Sequence, residues 1–127
     1  MGDLTAHFSR REFVCRGNDC CNQSAPISLQ LVDALEMLRE AVERPLIVAS
    51  GFRCRKHNAT VGGASNSQHT FGLAADIIVP RDMDIEVMIA LAKLIPAFAT
   101  GGIGRYGGFV HLDIRTGGPA RWSGGLD

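Results

Sequence analysis

The sequence predicts an α+β fold, with a small, mostly antiparallel sheet and helices packed on it. Two segments of substantial length have helical periodicity, and most strand signals are grouped late in the chain. Gly107-Gly108 lies between two short predicted strands, which is a signal for a tight hairpin. At 127 residues the chain is large enough for one hydrophobic core but not for two. We therefore expect a single domain over residues 1–127.

Helix signals begin close to the N-terminus. Ser9 and Glu12 have the spacing of a capping box, which predicts a short helix that buries Phe13 with Phe8 as a hydrophobic staple. Residues 17–25 are polar and rich in cysteine, so we expect a loop there. Ser28 then caps a longer amphipathic helix that Pro45 ends near residue 43. Its apolar positions recur at steps of four and three: Leu31, Leu35, Leu38 and Val42.

The remaining elements alternate between strands and one more helix. Residues 46–49 predict a buried strand, residues 58–67 a loop, and residues 74–79 a second strand. Asp82 or Asp84 is expected to cap a helix that runs through Leu94. Two short strands, 102–106 and 109–114, then form the predicted hairpin, and the tail from residue 117 is rich in glycine.

Candidate metal ligands occur in the run S-Q-H-T-F-G-L-A-A-D of residues 67–76. It places His69 and Asp76 seven positions apart, and His111 follows 35 positions after Asp76. Two imidazoles and one carboxylate suit a catalytic zinc ion that keeps a further position open for water. Asp76 also lies among apolar neighbours in a predicted strand, where a buried carboxylate is costly unless a cation accompanies it.

The last predicted strand separates polar from apolar side chains. Because strand side chains alternate, His111, Asp113 and Arg115 share one face. The apolar side chains of the same strand occupy the other face and are expected to pack in the core. The polar face is therefore predicted to line a cleft.

These motifs resemble those of the zinc D-alanyl-D-alanine carboxypeptidases and related peptidoglycan peptidases, which share the hedgehog/DD-peptidase fold. The run S-x-H-x-x-G-x-A-x-D matches that family's ligand motif, and residues 50–54, S-G-F-R-C, match its upstream S-G-[FY]-R segment. The matching segments extend from about residue 50 to residue 115. The resemblance implies that fold and one zinc ion (Zn2+) per chain, held by His69, Asp76 and His111.

The resemblance also implies roles for three further residues. Arg53 matches the arginine that binds the substrate's peptide carbonyl or terminal carboxylate, although it is alternatively a surface arginine. Ser67 is expected either to hydrogen-bond the ligands or the substrate, or to close its loop. Relatives often place a general base three residues before the last zinc histidine, but here that position is Gly108. We therefore expect Asp113 to act as the catalytic base, with positioning of His111 or pairing with Arg115 as the alternative.

The function that the resemblance implies is zinc-dependent hydrolysis of peptidoglycan. The substrate is a stem peptide or a crosslink, cut by D,D- or L,D-carboxypeptidase or endopeptidase activity. Because Gly108 replaces the usual base, the alternative is a non-catalytic zinc-binding module of the same fold, such as a phage structural or binding domain. A metal-independent interaction domain is a third, weaker hypothesis.

Charge and hydrophobicity limit the classes of binding partner that we expect for this chain. The formal net charge is zero, which does not indicate nucleic acid or an anionic membrane as a partner. No apolar stretch is long enough to insert into a bilayer, and we expect a monomer. The first residues lack the pattern of a signal peptide, so the location stays open between the periplasm or exterior and a phage lysin released through a holin.

The chain also contains four cysteines, and two of its aromatic residues lie near the predicted site in sequence. Cys15, Cys20, Cys21 and Cys54 lack the usual zinc-knuckle spacing, so free thiols are the default interpretation. A disulfide from the N-terminal segment to Cys54 is an alternative for a chain outside the cell, and a structural zinc is a lesser one. Tyr106 and the single tryptophan, Trp122, are expected to pack in the core rather than line the cleft.

Overall fold

A five-stranded sheet organises the protein in a computed structural model that describes residues 2–18, 20–22 and 24–124. The strands are β1 (Ile47–Ser50), β2 (Ala74–Ile78), β3 (Gly102–Arg105), β4 (Phe109–Asp113) and β5 (Ala120–Ser123). Their order across the sheet is β1-β2-β4-β3-β5. The pairs β1–β2, β2–β4 and β3–β4 are antiparallel, whereas β3–β5 is parallel. The predicted α+β class with a mostly antiparallel sheet is confirmed.

In the part of the chain that the structure describes, four α-helices and two 3₁₀ turns accompany the sheet. The α-helices are α1 (Leu29–Val42), α2 (Arg55–Thr60), α3 (Ile85–Lys93) and α4 (Pro96–Ala99). The 3₁₀ turns are Arg10–Phe13 and Gln68–Phe71. Among the described residues, no helix has the length and apolar character that crossing a membrane requires.

Local signals explain where the helices begin. The Ser28 hydroxyl accepts from the Leu31 amide at 3.4 Å at the start of α1, and the Asp84 carboxylate accepts from the Glu86 amide at 2.8 Å at the start of α3. Of the two caps that the sequence allowed for α3, Asp84 is the one used. In the first 3₁₀ turn, the Ser9 amide donates to Glu12 as the capping box predicts, and Phe13 is buried against Phe8.

The hydrophobic core lies on one face of the sheet, beneath the helices. Alternation along β2 and β4 directs four side chains into this core: Ala75, Ile77, Val110 and Leu112. They join the apolar stripe of α1 and residues of α3 and α4, such as Met88 and Phe98. The intervening residues of both strands face away from the core, which is where the polar side chains of interest lie.

One row of sheet positions carries the candidate site. Asp76 on β2 is in register with His111 on β4, which is in register with Gly104 on β3 and through it with Trp122 on β5. Side chains in one row of a sheet point to the same face, so the register sets Asp76 beside His111. The glycine in the third position leaves a gap in the row.

Candidate metal centre

The 3₁₀ turn Gln68–Phe71 brings His69 to the row that Asp76 and His111 form. Gly72 ends this turn in the left-handed conformation, with φ of 71°. A Cβ atom at Gly72 would collide with the carbonyl oxygen of Pro26, so glycine is needed both for the backbone conformation and for the close approach. The chain then reverses into β2, which carries Asp76.

The three predicted ligands converge on one point. His69 Nε2 lies 3.2 Å from Asp76 Oδ1, and His111 Nδ1 lies 3.0 Å from the same oxygen. Potential ligand atoms of all three residues lie within 4.8 Å of one another. The three residues are buried, with exposures of 2% for His69, 6% for Asp76 and 8% for His111. Burial of this kind keeps the ligand atoms from exchanging their contacts for water.

In each histidine, the ring nitrogen that faces away from Asp76 (the outer nitrogen) already has an acceptor, whereas the inner nitrogen faces Asp76. His69 Nδ1 lies 2.7 Å from the carbonyl oxygen of Gly51, and His111 Nε2 lies 2.8 Å from Asp113 Oδ2. Each outer nitrogen must therefore carry the proton of a neutral imidazole, which leaves the inner nitrogen with a lone pair. Two lone pairs and a carboxylate oxygen then face one another, and only a cation between them, or a proton on each inner nitrogen, satisfies all three. This donor set fits a zinc ion with an open position.

The electrostatics keep Asp76 ionised. Burial by itself would raise the pKa of this carboxyl. When no cation is present and the inner nitrogens of His111 and His69 carry protons, their hydrogen bonds outweigh burial and hold the pKa well below its usual range. Burial would likewise lower the pKa of His111, but Asp113 and Asp76 raise it instead. Asp76 is thus an anion at neutral pH, as a metal ligand must be.

Asp113 is enclosed behind the His111 ring. Its side chain is fully buried, and its two oxygens accept five hydrogen bonds. Oδ1 accepts from the amides of Gly102 and Arg115 and from Arg115 Nε, while Oδ2 accepts from His111 Nε2 and Arg115 Nη2. The nitrogen of His111 that Asp113 contacts is the one remote from Asp76. Of the two roles that the sequence left open for Asp113, this geometry favours positioning of His111 over that of a base in the cleft.

Arg53 lies beside the three ligands. Its Nη2 atom is 3.5 Å from Asp76 Oδ2, and Nη1 donates to the buried Asn58 Oδ1 at 3.0 Å. The Arg53 amide donates to the carbonyl oxygen of His69 at 3.1 Å. Arg53 is therefore held at the centre rather than free on the surface.

Ser67 uses its hydroxyl within its own loop. The oxygen accepts from the His69 amide at 3.2 Å and so caps the 3₁₀ turn. The residue lies on the wall of the cleft, but this bond already serves to close the loop. Contact between Ser67 and a substrate stays a prediction.

A cleft of about 560 Å³ opens onto the three ligands, a volume typical of small-ligand sites. Arg53, Arg115, Tyr106 and Trp122 are among the residues that line it. The expectation that Tyr106 and Trp122 pack in the core was wrong: both are half-buried on the cleft wall. Trp122 Nε1 donates to the Tyr106 hydroxyl at 3.0 Å, and its ring lies 5.0 Å from that of His111. The indole reaches this place because Gly104 between them has no side chain.

Arg115 is the cleft residue to which sequence reasoning gave no site role of its own. Its guanidinium lies 5.1 Å from the Trp122 ring and is paired with Asp113. The signal was present, because Asp113 and Arg115 lie two positions apart on the polar side of β4 and its extension. Arg53 and Arg115 both line the cleft with guanidinium groups, which suits a substrate that carries a carboxylate.

Among the described residues that line the cleft, Asp76 is the only one with a carboxylate. Gly108 lies in the exposed β3–β4 connection, and a Cβ atom there would meet nothing within 4 Å. The position three residues before His111 therefore has room for a side chain but offers no acceptor for a proton.

Two comparisons with known proteins identify what this chain is similar to. The profile of the family described as Peptidase M15 matches residues 6–113, which include every residue of the candidate site named above except Arg115 and Trp122. The chain is also 48% identical over 44 residues to the zinc D-Ala-D-Ala carboxypeptidase of Streptomyces albus G. That similarity covers 34% of this chain and 17% of the relative, so the chain matches about a sixth of the relative's length.

Proposed function

The chain belongs to the peptidase M15 family, and from this premise we propose that it is a zinc-dependent peptidase acting on the stem peptides or crosslinks of bacterial peptidoglycan. The observation that carries the proposal is the convergence of His69, Asp76 and His111 beneath a cleft that two arginines line. The relative named above is a zinc enzyme that acts on D-Ala-D-Ala, and the shared segment makes this class of substrate the first to test. The unit that acts is a single domain over residues 1–127.

Each of the three ligands would bind the metal through one particular atom. His69 binds through Nε2 and His111 through Nδ1, because their other nitrogens donate to Gly51 and Asp113. Asp76 adds a negative charge through the oxygen that faces both rings. When bound, zinc polarises the scissile carbonyl and lowers the pKa of a water molecule toward neutrality.

The cationic side chains position the substrate. Arg53 is the proposed catalytic arginine: its guanidinium, beside Asp76, binds the carbonyl oxygen on which charge develops or the terminal carboxylate of the peptide. Asp113 has a positioning role, since it fixes the His111 tautomer that leaves Nδ1 free for the metal. Trp122 and Tyr106 close one wall of the cleft and limit the access of bulk water.

A second candidate function is a zinc-binding module that does not hydrolyse its ligand. The specific observation in its favour is that the described residues of the cleft provide no carboxylate apart from Asp76. Such a module would bind peptidoglycan peptides through the same zinc and arginines without cutting them.

Incubation with purified peptidoglycan separates the two functions. The wild-type protein, His111→Ala and the matched control His7→Ala are each loaded with zinc, and released peptides are identified by mass spectrometry. The peptidase proposal expects new termini with wild type and with His7→Ala, since His7 is exposed and outside the site, but none with His111→Ala. Zinc-loaded wild type that binds peptidoglycan in a pelleting assay but releases no peptide would instead support the non-catalytic module.

A further inference from the structure

All four cysteines of the chain meet at one place away from the cleft. Cys15 follows the first 3₁₀ turn, Cys20 and Cys21 lie in the loop before α1, and Cys54 directly precedes α2. Cys15 Sγ lies 3.8 Å from Cys20 Sγ and 3.8 Å from Cys54 Sγ, and Cys20 Sγ lies 3.7 Å from Cys21 Sγ. All four sulfur atoms lie within 4.8 Å of one another.

These distances match a tetrahedron of thiolates. With zinc–sulfur bonds of about 2.3 Å, the sulfur atoms of a four-cysteine site are separated by about 3.8 Å. A disulfide instead requires about 2.05 Å between two sulfurs, and the four cysteines are free. Cys15 is equally far from Cys20 and Cys54, which favours one shared ion over pairwise bonding. We propose that Cys15, Cys20, Cys21 and Cys54 bind a second, structural zinc ion.

The loop that contains Cys20 and Cys21 is polar, and its described residues are held by hydrogen bonds. Residues 16–24 read R-G-N-D-C-C-N-Q-S and contain no apolar side chain apart from the cysteines. The described backbone closes on itself, with the Cys15 amide donating to the Ser24 carbonyl at 2.8 Å and the Ser24 hydroxyl donating to the Cys21 carbonyl at 2.7 Å. A segment that cannot bury apolar surface needs a crosslink or a metal to offset its loss of conformational entropy.

The surroundings of the cluster suit a metal thiolate. The His57 amide lies 3.4 Å from Cys54 Sγ in hydrogen-bonding geometry, and such donors commonly support metal-bound ligands. A Cβ atom at Gly17 would approach Cys20 Sγ and the His57 side chain to within 2.9 Å, so the loop passes too close for any other residue. Four thiolates and one zinc ion carry two net negative charges, and Arg16 and Lys56 line the hollow beside Cys20.

The second zinc also fixes a segment on which the cleft depends. Cys54 directly follows Arg53, and the carbonyl oxygen of Gly51 accepts from His69 Nδ1. The Phe52 amide donates to the Phe13 carbonyl at 3.0 Å, so this segment lies against the residues that directly precede Cys15. A metal that joins Cys54 to the N-terminal loop therefore holds Arg53 and Gly51 in place. The site is a structural support for the metal centre and is chemically distinct from it.

The test counts metals and thiols in the whole chain. Zinc per chain is measured by elemental analysis of protein purified without added metal, in wild type, His69→Ala and the control His7→Ala. We expect two zinc ions in wild type and His7→Ala and one in His69→Ala. Four reactive thiols should appear after unfolding in the presence of a chelator, because none is held in a disulfide.

Cobalt substitution identifies the ligands without a cysteine variant that might fail to fold. His69→Ala protein exchanged into Co2+ should show intense thiolate-to-cobalt charge transfer and the visible bands of a tetrahedral site. Absence of zinc from His69→Ala, iron in place of zinc, disulfide-bonded cysteines, or a cobalt spectrum without thiolate bands would each overturn the proposal. One zinc in both wild type and His69→Ala, with thiolate bands, would support the cysteine site and count against the His69 centre, so the two assignments fail separately.

Discussion

The Asp113→Asn substitution distinguishes the two roles of Asp113 most sharply. The asparagine keeps the shape of the side chain, and its amide oxygen can keep the three hydrogen bonds that Oδ1 accepts. Its amide nitrogen would replace Oδ2, which accepts from His111 Nε2 at 2.8 Å and from Arg115 Nη2 at 2.7 Å. Two donors would then face a third donor in a site that is fully buried.

The size of the effect follows from these two bonds. A hydrogen bond to a charged group contributes about 1.5–3 kcal/mol, and the lower end applies here because the Arg115 side chain is 29% exposed and partly screened. We therefore expect a loss of about 2–4 kcal/mol in the free energy of unfolding, or roughly 10 °C in Tm. His111 can reduce this loss by moving its proton from Nε2 to Nδ1, but that proton then occupies the lone pair meant for the metal. Zinc affinity should consequently fall by about 10–100-fold.

The assay measures zinc affinity and turnover separately. Zinc binding is determined by competition with a chromophoric chelator, and peptide release from peptidoglycan is measured at saturating zinc. Positioning of His111 predicts weaker zinc binding with a saturated rate within about tenfold of wild type, whereas loss of a general base would cost about 10²–10⁴ in rate. Asp82→Asn is the matched control, because Asp82 has the same chemistry but is 69% exposed. Unchanged zinc affinity together with a rate loss of 10² or more would refute the positioning role.

Three further perturbations probe the cleft and the metals. Arg53→Ala should retain both zinc ions yet lose most of kcat/KM. Its Tm should fall by a few degrees, because the buried Asn58 Oδ1 loses its donor at a cost of about 1–3 kcal/mol. Loss of zinc from this variant would instead make Arg53 primarily a support for Asp76. Gly104→Ala places a Cβ atom 2.5 Å from the Trp122 indole, so the fluorescence of this single tryptophan should change and activity should fall, whereas Gly108→Ala, in open space, should change neither. Chelation should lower Tm in a differential scan, and zinc restored at 100 times its Kd should raise the free energy of unfolding by about 2.7 kcal/mol. A Tm that chelation does not change would contradict metal binding by the folded state.

Sequence reasoning succeeded where the signal was local. The caps at Ser28 and Asp84 and the periodic stripe of α1 depend on residues within a few positions of one another, and the structure has these helices within one or two residues of the predicted bounds. The alternation along β4 correctly separated His111 and Asp113 from the core side chains. The convergence of His69, Asp76 and His111 was predicted from the resemblance of their motifs to a known family, and the β2–β4 register supplies the physical basis for Asp76 and His111.

Features that depend on distant pairing were missed. β5 was taken as a glycine-rich tail because its short A-R-W-S run has little strand character, and it is held by parallel pairing with β3. That pairing is what brings Trp122 over the site instead of into the core. Helix α2 has almost no apolar stripe, and α4 is only four residues long, so neither shows helical periodicity.

The cysteine cluster illustrates the same limit. Cys15, Cys20 and Cys21 do not have the spacing of a zinc knuckle, and the fourth sulfur comes from Cys54, 39 positions after Cys15. A local motif search therefore favours free thiols, whereas the fold brings all four sulfurs together. Burial of Asp113 likewise depends on Gly102 of the neighbouring strand, where a Cβ atom would collide with the carboxylate.

A zinc anomalous-difference map from crystals of the purified protein would show which side chains bind the metal. We expect a peak about 2.0–2.2 Å from His69 Nε2, His111 Nδ1 and an oxygen of Asp76, with Asp113 still bonded to His111 Nε2. A zinc-containing crystal with no peak among these three side chains, or with His111 turned so that Nε2 meets the metal, would contradict it.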